Sequence, residues 1–324
     1  MTALIGLAGA GAFGAALAIA LAKQGQNVRL WARDATVVET MAQTRQVHRL
    51  PGAALPKTVS VTADIADLAD CPSVLLAVPM QQLSRFLTLH GKMLDGRALV
   101  ACCKGMDLAT QKGPTALIAD ACPHATPMIL TGPSFATDIA KGLATALTLA
   151  STDDAASQHM QGVLSGPILR IYRNSDVVGA ELGGALKNVI AIAAGIVMGA
   201  GLGESARAAL MARGFAEMVR FSVRLGARPD TLMGLSGLGD LVLTCTSAQS
   251  RNYSHGLALG RGDRTDPAVT VEGVATSQAV LRQTLALGLS DDMPVTTMVA
   301  EVTAGTITIP RAIQALMSRP LKEE

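Results

Sequence analysis

The chain has 324 residues, 49% hydrophobic and 16% charged, with 27 basic against 25 acidic side chains and a net charge of +2. Such a chain buries enough apolar surface to offset its conformational entropy, so it is globular, with room for two domains. Charges balanced without a long run of either sign, and only 2% aromatics, leave no footprint for nucleic-acid binding.

The first half alternates short β-like runs with helical stretches. Ala3 to Ala8 is the first run, followed after glycines by an alanine-rich helix over Phe13 to Lys23 and a second run over Asn27 to Trp31. Val59 to Thr62, Ser73 to Pro79, Ala98 to Cys103, Met128 to Thr131 and Ala144 to Ser151 continue the series. Apolar runs of this length between helices are how strands covered on both faces read. The prediction is an α/β chain with an N-terminal doubly wound sheet over residues 1–175.

After about Asn174 the texture changes. Val177 to Ala200, Ser205 to Leu225, Thr270 to Gly288 and Asp292 to Gly305 read as helices, the second closed by Gly226 and Pro229. Residues 243–269, rich in Ser, Gly, Asp and Arg, read as a polar loop. An all-α C-terminal domain over 176–324 is expected.

Five cysteines, without a CxxC pair or a spacing with histidines, predict no metal site and a reducing, cytoplasmic setting. Thr2 to Ala22 and Val177 to Leu202 both approach the roughly 18 apolar residues of a membrane span. The first lacks a basic n-region, and the second carries Glu181, Lys187 and Asn188, which lipid penalises. No membrane insertion is expected.

GAGAFG places Gly9, Gly11 and Gly14 in G-x-G-x-x-G spacing, after a β-like run and at the head of a helix. The first glycine allows a tight turn, the second lets a pyrophosphate approach the backbone, and the third lets helix and strand pack closely. The helix N-terminus adds N–H donors and partial positive charge. A dinucleotide-binding, Rossmann-type unit follows. Arg33 and Asp34 end the second run, where the adenosine ribose would lie; an arginine there suits the 2′-phosphate of NADP and an acid suits NAD. The pair leans to NADP, against the plainer reading of two solvated turn residues.

ACCKGMD and TGPSF put Lys104, Gly132 and Ser134 just past strand ends, where open α/β sheets bind ligands. Each alone is an ordinary surface lysine or turn. Lys187 stands in the apolar stretch GGALKNVIAIAAGIV, with Gly183 and Gly184 one turn before it and Ala191 one turn after. Either the lysine snorkels to a surface, or its ammonium points into a cleft between the domains and serves as a general acid or base. GLGD leaves Asp240 on a side-chain-poor turn. Ser250, Arg251 and Asn252 gather a hydroxyl, a forked guanidinium and an amide suited to a phosphate; a solvated loop is the alternative.

GAGAFG, ACCKGMD, LTGPSF, GAELGGALKNVIAIAAGI, RGFAEM, GLGDLVLTCTSAQSRN and VEG, in this order, resemble the bacterial NAD(P)-dependent glycerol-3-phosphate dehydrogenases over nearly the whole chain, from about residue 3 to residue 310. The resemblance implies reversible hydride transfer between NAD(P)H and dihydroxyacetone phosphate, giving sn-glycerol 3-phosphate for glycerophospholipid synthesis, by a homodimer. It assigns Lys187 to proton transfer, Lys104 to both substrate and cofactor, and Asp240 to orienting Lys187 or a substrate hydroxyl. Gly132, Ser134, Ser250, Arg251 and Asn252 would hold the substrate. Gly9, Gly11, Ala12, Phe13, Gly14, Arg33, Ala136, Arg251 and Glu272 would hold the cofactor. Phe13 stands where the family usually has tryptophan, which keeps an apolar wall and loses an indole donor. Two readings compete: a two-domain β-hydroxyacid dehydrogenase acting on a carboxylate, and a nucleotide sensor without chemistry. The Ser250-Arg251-Asn252 cluster argues against the first, and the intact Lys104, Lys187 and Asp240 against the second.

Overall fold

A computed structural model describes residues 3–266 and 269–318; the outermost parts of the two expected domains and Pro267 and Ala268 of the expected loop lie outside the described residues. Eight strands, β1 (Leu4–Ala8), β2 (Asn27–Trp31), β3 (Val59–Thr62), β4 (Ser73–Leu76), β5 (Ala98–Ala101), β6 (Thr126–Thr131), β7 (Thr145–Ala150) and β8 (Leu169–Asn174), form one sheet in the order 3-2-1-4-5-6-7-8. Interleaved with them are α1 (Ala12–Lys23), α2 (Ala35–Thr44), α3 (Met80–Leu94), α4 (Pro114–Ala121), α5 (Ala136–Lys141) and α6 (Asp154–Leu164).

Pairing is parallel throughout except between β6 and β7, which run antiparallel. Strand β8, whose pattern of LRIYRN alternates buried and exposed residues, is an edge strand that the run-based reading missed. Both faces of the sheet are covered, which is why its central strands read as continuous apolar runs. Ile5, Leu7 and Leu30 join the core on one face, with the apolar side of α1; Ala8, Leu76 and Leu99 join the core on the other, with Leu83 and Leu87 of α3. Cys102 and Cys103, adjacent in sequence, fall into these opposite cores.

The rest is helical: α7 (Val177–Gly199), α8 (Glu204–Arg224), α9 (Pro229–Met233), α10 (Asp240–Cys245), α11 (Arg251–Arg261), α12 (Glu272–Ala286), α13 (Pro294–Thr303) and α14 (Ile309–Met317). Among the described residues after Asn174 there is no strand. Gly226, with φ +92°, closes α8 as expected of a glycine just past a helix end.

The segment expected as a polar loop holds the end of α10 and all of α11, and GLGD is not an open turn but closes a single π-helical turn, Leu235–Gly239, leading directly into α10. The serine that looked like loop composition is the cap of α11: Ser250 Oγ accepts the Tyr253 N–H at 3.2 Å.

The chain divides into two compact units. One comprises residues up to Lys104 together with Lys112–Glu181; the other comprises Gly105–Gln111 and the chain from Leu182 onward. Helix α7 is long and apolar enough to cross a membrane, and it is the central, mostly buried helix of the core.

Candidate active site

In the sheet unit the glycine loop follows β1. Gly9 adopts φ +115°, which favours glycine, and a Cβ there would lie 2.6 Å from Ala77 O. Gly14 carries no Cβ because one would collide with Gly9 O, so helix and strand approach closely. At Gly11, by contrast, an added Cβ meets nothing within 4 Å, and Gly11 is the N-cap of α1 without a side-chain hydrogen bond. The first turn of α1 therefore keeps its N–H donors uncapped by any side chain, beside open space. A dinucleotide pyrophosphate fits this cradle. Ala12 begins α1, and Ala12 and Phe13 are both partly exposed at that end.

The strand order reverses between β1 and β4, and β1, β2, β4, β5 and β6 all end at the same edge. Ligands of open α/β sheets bind at such a switch point. Arg33 lies exposed past β2, whereas its neighbour Asp34 is occupied as the N-cap of α2, accepting Thr36 N at 2.9 Å and Val37 N at 3.4 Å. Past β5 and β6, Lys104 Nζ donates to Gly132 O at 3.0 Å, and Ser134 Oγ donates to the same carbonyl at 3.1 Å. The extended turn that presents this carbonyl has Gly132 at φ +125°. Ala136 opens the short α5 two residues after Ser134.

In the helical unit Lys187 is 7% exposed, so it does not snorkel. Its Nζ donates to Asp240 Oδ1 at 2.9 Å and to Thr244 Oγ1 at 2.6 Å, and both acceptors lie one turn apart on α10. Asp240 is 1% exposed. A buried ion pair of this kind is tolerated only when further hydrogen bonds support it, and Thr244 supplies one. Burial pushes the neighbouring Cys245 thiol up to about 12, against the pull of the Lys187 charge. Gly183, one turn before Lys187, is explained by packing: a Cβ there would lie 2.6 Å from Ser236 O.

Helices α7 and α11 pack backbone to backbone. Cβ atoms on Gly195 and Gly199 of α7 would strike α11, and Cβ atoms on Gly256 and Gly260 of α11 would strike α7. This close crossing draws the first turn of α11 to the level of Asn188. Asn252 Nδ2 donates to Asn188 Oδ1 at 2.9 Å, and Asn252 Oδ1 accepts Gly273 N at 2.9 Å, tying α7, α11 and the start of α12 together. Arg251, the first residue of α11, is exposed, and Glu272 is the first residue of α12.

Within each unit, then, residues singled out from the sequence do assemble. Lys104, Gly132 and Ser134 meet in one; Lys187 and Asp240 meet in the other, while Asn252 is held by Asn188. Sequence reasoning passed over Thr244 and Asn188. Thr244 was findable, since it lies four residues after Asp240 and shares its face once the segment is read as helix. No group of three or more metal-ligating side chains occurs among the described residues.

Residues 4–157 match the family model described as the NAD-dependent glycerol-3-phosphate dehydrogenase N-terminus, and residues 176–314 match that of its C-terminus. A protein of Cereibacter sphaeroides named glycerol-3-phosphate dehydrogenase [NAD(P)+] is 59% identical over 321 residues, covering 99% of this chain and all of the relative. A protein of the same name from Paracoccus denitrificans is 55% identical over 320 residues, 99% of each chain. The crystal structure of glycerol-3-phosphate dehydrogenase from Coxiella burnetii superposes with a TM-score of 0.92 at 34% identity, over 98% of this chain and 99% of that one.

Proposed function

Because the chain belongs to the NAD-dependent glycerol-3-phosphate dehydrogenase family, we propose that it interconverts dihydroxyacetone phosphate and sn-glycerol 3-phosphate, with NAD(P)H as reductant. The observation that carries this reading is the buried hydrogen-bonded set of Lys187, Asp240 and Thr244, in a chain whose other unit carries an uncapped glycine cradle. When bound, the nicotinamide supplies the hydride that reaches C2 of the ketone, or accepts it in the reverse direction.

The protein's own part is proton transfer, positioning and charge. In reduction the Lys187 ammonium gives a proton to the C2 oxygen as the carbonyl becomes an alcohol; in oxidation the neutral amine takes that proton back. General acid–base catalysis of this kind is worth roughly 10²- to 10⁴-fold. Asp240 holds the ammonium form and aims Nζ, and Thr244 fixes the amine from a second direction. Lys104, drawn to Gly132 O, serves the substrate and the cofactor, with Gly132 and Ser134 beside it. Arg251 grips the substrate phosphate as a planar donor fork at the N-terminus of α11, where the helix adds partial positive charge. Ser250 and Asn252 support it as helix cap and as brace.

On the cofactor, Gly9, Gly11, Ala12, Phe13 and Gly14 take the pyrophosphate side, and Arg33 takes the 2′-phosphate of NADP. Asp34 caps a helix, which supports the preference for NADP over NAD. Ala136, Arg251 and Glu272 complete the cofactor contacts. The reading further makes the enzyme a cytoplasmic homodimer of 1–175 and 176–324 domains. Five cysteines, all free and buried, are consistent with a reducing compartment, and sedimentation analysis of the purified protein tests the dimer.

The test of the activity is direct: oxidation of NADPH followed at 340 nm on addition of dihydroxyacetone phosphate. Absence of consumption with either reduced nicotinamide overturns the assignment.

A further inference from the structure

Helix α4 begins in an unusual way. Its N-cap is Gly113, which has no side chain to offer, and its first residue is Pro114, which has no N–H. The first N–H that needs a partner is that of Thr115, and it is met from far along the chain: Thr115 N donates to Glu181 Oε1 at 2.7 Å. The Thr115 hydroxyl bonds to the same carboxyl. Glu181 thus performs for α4 the task that a serine or aspartate at the cap normally performs. The fit is close, because a Cβ on Gly113 would collide with Glu181 Oε2. Burial raises the Glu181 carboxyl to about 7, against the opposing pull of the two Thr115 hydrogen bonds. A desolvated carboxylate is a costly way to cap a helix, and an aspartate at position 113 would do it locally.

What this arrangement joins is informative. Upstream of Gly113 lies the segment that starts at Lys104, leaves β5 through Gly105 at φ +134° and is organised by Asp107, whose Oδ2 accepts Thr110 N and Thr110 Oγ1, each at 2.8 Å. Asp107 O also accepts Gln111 N at 2.8 Å. The segment is therefore stiff, fixed by β5 at one end and by the Glu181 carboxylate at the other.

The geometry points to Glu181 as a positioning residue for the reaction: by clamping Gly113 and Thr115 it fixes the far end of the stretch that leaves β5 at Lys104. This rests on the reading of Lys104 as a substrate and cofactor residue. Glu181 itself touches neither in that scheme and acts through Lys104.

The test is a double-mutant cycle on the full-length enzyme at pH 8.5, above the Glu181 titration. Glu181→Ala, which removes the clamp, and Gly113→Ala, which pushes it apart from the other side, are each expected to lower kcat/KM for dihydroxyacetone phosphate by about tenfold. NADPH affinity by fluorescence titration is expected to weaken as well, because Lys104 also serves the cofactor, and Glu181→Gln, whose amide oxygen still accepts Thr115 N, to recover most of both. In a Lys104→Met background, Glu181→Ala is expected to add no further loss. Equal losses in both backgrounds would show that Glu181 acts only on stability and overturn the inference, as would a Gly113→Ala enzyme of full activity. A Lys104→Met enzyme of full activity overturns the role given to Lys104 and the inference with it, whereas an impaired Lys104→Met beside an unimpaired Glu181→Ala removes the inference alone.

Discussion

Lys187 Nζ and Asp240 Oδ1 stand 2.9 Å apart in the core of the helical unit, with only 7% and 1% of their residue surfaces exposed. The pairing answers how an ammonium survives in an otherwise apolar helix, and it changes what a substitution at this position does. Lys187→Met removes the proton donor and is expected to reduce turnover by about 10²- to 10⁴-fold. It also leaves the Asp240 carboxylate buried without its cation, which costs about 3–5 kcal/mol when one partner of a buried pair is deleted. Lys187→Met combined with Asp240→Asn removes both charges, so its thermal midpoint is expected to rise above that of Lys187→Met while activity stays lost. Calorimetry and steady-state assays on the two variants decide this: recovery of activity in the double variant would contradict the proton-transfer role.

Thr244 contributes through orientation, because its hydroxyl is 2.6 Å from Nζ and 3.4 Å from Asp240 Oδ1. Thr244→Val keeps the shape and removes the oxygen, leaving the ammonium one acceptor short in a buried site. A kcat loss of about tenfold is expected, in line with roughly 1–3 kcal/mol for a buried donor left unmet, with the KM for NADPH unchanged. Thr244→Ser, which restores the oxygen, is expected to recover most of the rate. A Thr244→Val enzyme with normal kcat removes the orienting role.

Arg251 is exposed at the first position of α11, free of the packing that holds its neighbours Ser250 and Asn252. Arg251→Ala is therefore expected to leave stability nearly unchanged. The loss of charge-assisted hydrogen bonds to a phosphate, about 1.5–3 kcal/mol, predicts a roughly ten- to 150-fold fall in kcat/KM for dihydroxyacetone phosphate. For dihydroxyacetone, which lacks the phosphate, the fall is expected to be small. Equal losses for the two ketones would take Arg251 out of the phosphate site.

Neighbouring residues at the end of β2 divide their duties. Arg33→Ala is expected to raise the KM for NADPH and leave that for NADH close to its original value, because only NADPH carries the 2′-phosphate. Asp34→Ala breaks an N-cap, so its expected signature is about 1 kcal/mol of lost stability with an unaltered ratio of the two cofactors. Parallel titrations with NADH and NADPH on both variants separate these effects, and a changed cofactor ratio in Asp34→Ala would place its carboxylate at the ribose.

The residues that were legible in the sequence share a physical reason. Central strands buried on both faces announce themselves as apolar runs, and the glycine loop announces a phosphate cradle because close backbone approach permits no side chain at Gly9 and Gly14, while Gly11 leaves open space at the head of α1. Strand β8 was missed because only alternate residues of LRIYRN are buried, a weak signal next to continuous runs. Helix α11 reads as loop because its composition is polar, yet Gly256 and Gly260 are there for close crossing of α7 rather than for flexibility. The role of Glu181 is out of reach for a different reason: its partner Thr115 is 66 residues away, and pairing over such a distance is a property of the packed structure.

Glu217 makes a prediction about pH that runs against the usual behaviour of carboxylates. It is 2% exposed on α8 and caps α13 from outside, accepting Val295 N at 2.7 Å on one oxygen and both Thr296 N and Thr296 Oγ1 at 3.0 Å on the other. Burial raises its carboxyl from 4.5 to about 7, outweighing these hydrogen bonds and the weaker pull of Arg220. Because the folded protein then binds this proton more tightly than the unfolded chain does, the group's contribution to stability is fully present below about 4.5 and is lost as pH climbs through about 7, on the order of 3 kcal/mol in all. Glu217→Gln cannot titrate, so the unfolding free energy of the parent minus that of the variant is expected to fall steadily between pH 5 and pH 8. Taking this difference cancels the other titrating groups, including Asp95, which shifts in the opposite direction. Denaturant melts of the two proteins across that range that run parallel would mean that Glu217 keeps an ordinary carboxylate titration despite its burial.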